Sequence, residues 1–151
     1  MSKEAQIQAL AEAALDTYGA VHVVCNNAGI GIGGAVDEMS LDDWKWTIDV
    51  DLWSVIYGVR TFLPLLKAQG EGHITATSSM AGLMRPDLPG MPLGLYAASK
   101  HALIGYGDSL RHELAPEGIG VTVLCPGPVS THLTATSARH RPERFGGAYE
   151  D

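Results

Sequence analysis

Apolar residues at Ile7, Leu10, Ala11, Ala14 and Leu15 recur with a 3.6-residue period, which predicts an amphipathic helix over residues 3–18. Ser2 is placed to cap its start, and Gly19 to end it in a left-handed conformation. The pattern then changes to the short β-branched run 21–25, a predicted strand closed by the polar turn Asn26-Asn27-Ala28-Gly29. Ser40-Leu41-Asp42-Asp43 has the form of a capping box with aspartate where glutamate is more usual. It opens a helical region reaching about Lys67, with a division near Thr47. Residues 73–77 predict a second strand. The proline- and glycine-rich stretch 86–94 leads into a helix carrying Tyr96, Lys100, Leu103, Ile104, Leu110 and Leu114. Residues 120–125 predict a third strand, stopped by Pro126-Gly127-Pro128. Beyond Thr131 the polar, arginine-containing tail predicts no regular element.

Strands alternating with helices in this order define a parallel α/β sheet with right-handed crossovers. The strands read as lacking alternating polar positions, which predicts helices over both faces. The expected domain spans 1–151, with its core over about 3–131 and an irregular tail over 132–151. Three strands make a thin sheet. An apolar run such as 21–25 suits an interior position better than an open edge, so the pattern predicts either a missing neighbouring strand or association through that edge.

Composition narrows the function. A net charge of −7 over 151 residues argues against nucleic-acid and membrane-surface roles. The N-terminus has no apolar signal-peptide core, and no uninterrupted apolar run approaches the length of a membrane span. Two cysteines, Cys25 and Cys125, fit a reducing, cytoplasmic setting and read as buried small hydrophobes. The histidines lack ligand spacing, so no metal site is expected. Arg139, His140, Arg141 and Arg144, interrupted by Glu143, Glu150 and Asp151, read as a solvated tail. Trp44, Trp46 and Trp53 read as packing or a partner-facing patch. The glycines between Gly29 and Gly34 read as a flexible loop, because no helix follows them directly.

Chemistry concentrates on Tyr96 and Lys100, which rise from one helix face. A phenol with a free pKa of about 10 is a poor base at neutral pH. A neighbouring ammonium favours the phenolate, and the helix N-terminus acts in the same sense, which predicts a lowered pKa for Tyr96. Ser79, just past the second strand, is placed by parallel topology near the start of that helix and can donate to a substrate oxygen. Tyrosine and lysine at this spacing are also common on solvated helices, and loop serines commonly cap backbone groups.

Taken together and in order, Asn26-Asn27-Ala28-Gly29, Ser79, Tyr96-Ala97-Ala98-Ser99-Lys100 and Pro126-Gly127-Pro128-Val129-Ser130-Thr131 resemble the short-chain dehydrogenase/reductase family. The resemblance implies a partial Rossmann-like three-layer α/β sandwich with a three-stranded parallel sheet and flanking helices. It implies that Ser79 stabilises the reacting oxygen, Tyr96 is the general acid/base, and Lys100 tunes Tyr96 and holds the nicotinamide ribose. Asp51, in Ile48-Asp49-Val50-Asp51-Leu52, stands where the family places the asparagine of its reaction centre. An aspartate keeps that amide's acceptor and loses its donors. Asn26 would brace the central strand, and the backbone of Ala28 and Gly29 would line the cofactor cleft. Pro126, Gly127, Val129 and Thr131 would border the nicotinamide, with Thr131 facing its carboxamide.

A complete family member would use NAD or NADP on a small carbonyl or alcohol substrate and form homo-oligomers through its long helices. The resemblance covers the family's middle portion. No glycine-rich strand–turn–helix for a pyrophosphate precedes Asn26. The same residues therefore also admit a non-catalytic remnant or an oligomer-interaction protein. Leu83, Met84, Leu88, Met91 and Leu93 suggest a nonpolar substrate rim or loop packing.

Overall fold

The computed structural model describes residues 3–84 and 92–148. Ser2 and the rim residues Leu88 and Met91 lie outside them, and the N-cap position of the first helix falls on Lys3 in place of the expected Ser2. Helix α1 spans Glu4–Tyr18, and Gly19 ends it at φ 76°, its N–H bonded to the Leu15 carbonyl. Strand β1 is Val23–Asn26. Helix α2, Leu41–Ile48, begins at the expected capping box, where Ser40 and Asp43 satisfy each other's backbone N–H groups. The division expected near Thr47 is a single wide π turn over Asp49–Trp53. Helix α3 continues from it over Ser54–Gln69. Strand β2 is Gly72–Thr77, helix α4 is Gly94–Leu114 and strand β3 is Ile119–Leu124.

The three strands lie in the order β1-β2-β3, all parallel. Val24, Ile74 and Val121 stand in one row across the sheet. They join Ile7 and Ala11 of α1, Val55, Val59, Phe62 and Leu66 of α3, and Leu103, Leu110 and Leu114 of α4 in one apolar core. The fold is thus a partial Rossmann-like α/β sandwich, a parallel sheet flanked by helices.

The helical layer gathers on one face of the sheet, which corrects the expectation of two covered faces. Among the described residues, neither apolar core takes a side chain from the opposite face. There Val23 is 58% and Leu124 50% exposed, and His73 Nε2 lies 2.8 Å from Thr122 Oγ1. The alternation was present in β2: Ile74 and Ala76 are buried, while His73, Thr75 and Thr77 between them are not. Cys25 falls on the uncovered face and is exposed, and Cys125 is half-buried just past β3. Neither is the buried small hydrophobe that strand-end placement suggested.

The tail also differs from its expected irregular form. Leu133–Arg139 forms helix α5, and Phe145 closes a second small core with Ile30, Ile32 and Trp46. Ser137 Oγ accepts the Gly31 N–H at 3.0 Å. Arg141 pairs with Asp43 at 2.7 Å and lies over the Trp46 ring. The sparse apolar residues of the tail show no period. Their partners lie about a hundred residues earlier, so the helix is held by tertiary packing more than by propensity. The same contacts pin the glycine-containing segment after β1, whose Ile30 and Ile32 are buried.

Two glycines test this packing. A Cβ on Gly58 of α3 would sit 2.1 Å from Asn26 Oδ1, whereas one on Gly105 of α4 meets nothing within 4 Å. Gly105→Ala is expected to stabilise the fold by up to about 1 kcal/mol through helix propensity. Gly58→Ala is expected to lose that gain to overpacking and to destabilise by about 1–3 kcal/mol. Urea unfolding of both variants reads the difference; equal effects would show that α3 does not press on β1 as described.

Candidate active site

Parallel pairing places the C-terminal ends of β1, β2 and β3 at one edge of the sheet, where ligands of open α/β folds bind. The loops there are tied together. The Ser78 N–H donates to the Leu124 carbonyl at 2.8 Å, and the Met80 N–H to the Pro126 carbonyl at 3.0 Å. Thr77 Oγ1 donates to Asn27 Oδ1 at 3.1 Å, and Asn26 Nδ2 to the Thr75 carbonyl at 3.2 Å. Asn26 thereby joins β1 to β2.

Ser79 caps the short turn Met80–Gly82, its hydroxyl oxygen accepting the Ala81 N–H at 3.1 Å. That leaves its proton free to point outward. The Tyr96 phenol is hydrogen-bonded with Ser79. Lys100, one turn further along α4, holds its Nζ 5.3 Å from the centre of the Tyr96 ring. The same ammonium donates to the Thr77 carbonyl at 3.3 Å and pairs with Asp51 Oδ2 at 3.4 Å. Gly29 lies against both members of that pair; a Cβ there would be 3.2 Å from Lys100 Nζ and 3.4 Å from Asp51 Oδ1.

Asp51 is brought inward by the π turn. Its Oδ1 accepts the Ile30 N–H at 2.7 Å. The Ser99 hydroxyl lies 3.0 Å from Asp51 Oδ2 and 2.8 Å from the Tyr96 carbonyl, sharing its proton between them. Ser99 escaped the sequence reading, although it stands inside the Tyr96–Lys100 segment. Its only signal was a polar residue on the inward face of a helix. Ser78 escaped as well; its hydroxyl donates to the Lys100 carbonyl at 2.8 Å and fixes α4 against the end of β2.

The structure brings Gly29, Asp51, Ser79, Tyr96 and Lys100 together. Pro126 and Gly127 lie beside Met80; a Cβ on Gly127 would come within 3.1 Å of its sulfur. Val129 and Thr131 sit on an exposed stretch, where Thr131 Oγ1 accepts the Leu133 N–H at 3.4 Å. Ala28 follows Asn27 in the turn after β1. Leu83 and Met84 are exposed beside Ser79, and Leu93 is half-buried. Among the described residues no group of three or more His, Cys, Asp or Glu is placed to hold a metal ion. None of their helices is long and apolar enough to cross a membrane.

Burial raises the proton affinity of Tyr96, the hydrogen bond from Ser79 opposes it, and the charge of Asp51 adds to it; the net direction is upward. This reverses the lowering expected from Lys100. The lysine's charge is paired with the Asp51 carboxylate, whose own charge acts on the phenol in the opposite sense. Asp51 is itself raised by burial, against the opposing pull of Lys100 and the Ile30 and Ser99 hydrogen bonds.

The short-chain dehydrogenase family model matches residues 1–142. The chain is 34% identical over 148 residues to the CLA biosynthesis dehydrogenase/reductase of Lactiplantibacillus plantarum, covering 96% of this chain and 50% of that protein. It is 40% identical over 127 residues to the oxidoreductase SadH of Mycobacterium tuberculosis, covering 83% and 45%. A short-chain dehydrogenase/reductase from Burkholderia phymatum, solved in complex with NAD, superposes with a TM-score of 0.89 at 42% identity, over 99% of this chain and 52% of that one. ElxO with NADP bound superposes with a TM-score of 0.79 at 26% identity, over 89% and 53%. The chain belongs to the short-chain dehydrogenase family, and it spans about half the length of the curated relatives it matches.

Tyr96 and Tyr106 both hold their protons more tightly in the fold than in the unfolded chain. Their contribution to stability is therefore fully present below the free phenol value of about pH 10, and is lost as pH rises through the higher folded values. Tyr96→Phe is expected to remove part of this alkaline sensitivity. Thermal unfolding between pH 8 and about pH 11 checks it, and an unchanged slope would contradict the burial assigned to Tyr96.

Proposed function

We propose that this chain forms the nicotinamide-side half of the site of an NAD(P)-dependent oxidoreductase acting on a carbonyl/alcohol pair. The observation that carries this reading is the convergence of Ser79, Tyr96 and Lys100 where the parallel strands end. The family's use of NAD and NADP, seen in the Burkholderia phymatum enzyme and in ElxO, supports it.

The donor set at this edge fits the nicotinamide-ribose end of such a cofactor. Lys100 Nζ offers an ammonium to the ribose hydroxyls, and the backbone of Ala28 and Gly29 with Pro126, Gly127, Val129 and Thr131 offers walls and a hydroxyl around the ring. Among the described residues, none forms a glycine-rich turn opening a helix for the pyrophosphate. When bound, the nicotinamide supplies or accepts the hydride at the substrate carbon.

The chain's own residues handle the oxygen and the proton. The Ser79 hydroxyl donates to the substrate oxygen and holds it beside the phenol. In reduction, the Tyr96 O–H gives its proton to that oxygen; in oxidation, the phenolate takes the proton back. The exposed Leu83 and Met84 favour a substrate with an apolar portion. The outer faces of α3 and α4 serve as the subunit contact in this reading, and Trp53, at the end of the π turn, stacks on Tyr57 of α3 at 5.6 Å and offers an aromatic patch there.

Titration of the purified protein with NADH and NADPH, followed by fluorescence and calorimetry, tests the reading: saturable binding near one ligand per chain would support it. Absence of binding by a folded protein would favour an interaction role for the chain. Tyr96→Phe is expected to lower carbonyl reduction by about 10²–10⁴-fold while leaving the fold intact. Retained turnover would remove Tyr96 from its role.

A further inference from the structure

A carboxylate stands against the lysine of this site. The side chains of Asp51 and Lys100 are 0% and 5% exposed. Asp51 uses both oxygens, one for the Ile30 N–H and the other for Ser99 and Lys100. An asparagine in the same place would still accept the Ile30 hydrogen bond through its amide oxygen. What the aspartate adds is charge and a direct ionic hold on Lys100 Nζ.

Among the described residues, the charges around this pair are few. Asp51 comes from the π turn, and Lys100 and Tyr96 come from α4. The loop after β1 contributes the Gly29 backbone and the Ile30 N–H, β2 contributes the Thr77 carbonyl, and the turn after it contributes Ser79. Asp49, the other carboxylate of the π turn, pairs with Arg144 at 3.9 Å and is 37% exposed. With Asp51 ionised, the pair beside Tyr96 is neutral overall. With Asp51 neutral, the phenol faces a bare ammonium in a low-dielectric setting, where such a charge acts strongly.

We propose that Asp51 is a positioning residue that clamps Lys100 and offsets its charge, so that the charge state of this one buried carboxylate sets how readily Tyr96 releases its proton. The inference rests on the reading of Tyr96 as the proton-transfer group. It gives the site a direction. A phenol that keeps its proton is ready to donate during carbonyl reduction. Alcohol oxidation, which needs the phenolate, is displaced to alkaline pH.

The test needs neither cofactor nor turnover. The ionisation of Tyr96 is read as the difference in tyrosinate absorbance between a protein and its Tyr96→Phe counterpart across an alkaline titration. Asp51→Asn is expected to move the Tyr96 midpoint down by about one pH unit or more, with unchanged circular dichroism. A midpoint that stays or rises in folded Asp51→Asn overturns the clamp. Asp51→Ser removes the same charge with a smaller side chain; it is expected to move the midpoint in the same direction, and it decides the matter should the asparagine variant not fold. A merely structural Asp51 would move stability and leave this midpoint in place. Because cofactor binding and carbonyl reduction are measured separately, failure of the clamp and failure of the oxidoreductase reading are distinguishable.

Discussion

Parallel pairing of three short strands is the constraint on which the remaining structure depends. Because β1, β2 and β3 run the same way, each successive pair must be joined by a crossover, and all three chain exits fall at one edge. The row Val24, Ile74 and Val121 supplies the apolar surface against which α1, α3 and α4 pack. Once α3 and α4 are seated there, the π turn leading into α3 and the first turns of α4 reach the edge where the strands end. Asp51, Tyr96 and Lys100 are delivered to one place by this geometry, although Asp51 and Tyr96 lie far apart in sequence.

Electrostatics at that edge follow from burial. A lone buried carboxylate or ammonium is costly, so Asp51 and Lys100 persist inside only as a pair with further hydrogen bonds. The widened π turn is the local device that turns Asp51 inward, and such turns are frequent at functional sites. The phenol nearby responds to the pair as a whole. Desolvation dominates Tyr96 and raises its proton affinity, opposite to the direction expected from a neighbouring ammonium.

The face of the sheet away from the helices has the opposite character. Val23, Cys25 and Leu124 are open to solvent there, beside the polar side chains of His73, Thr75 and Thr122. The second core is a separate packing event, in which Phe145 fills the space beside Trp46, Ile30 and Ile32. It ties the end of the chain to the segment after β1 and keeps α5 beside the Gly31 backbone.

Sequence alone determined what local physics encodes. The period of α1, the Gly19 stop, the Ser40 capping box and the strand–helix order all depend on neighbouring residues, and each is present in the fold. The Ser79, Tyr96 and Lys100 grouping was legible because its spacing on one helix and after one strand translates directly into proximity. Tertiary structure decided the rest. Which sheet face carries helices, why Cys25 is exposed, why residues 133–139 form a helix, and which sign the Tyr96 shift takes all depend on groups distant in sequence. Burial and charge pairing are properties of what surrounds a side chain in space, and a linear pattern holds only the neighbours along the chain.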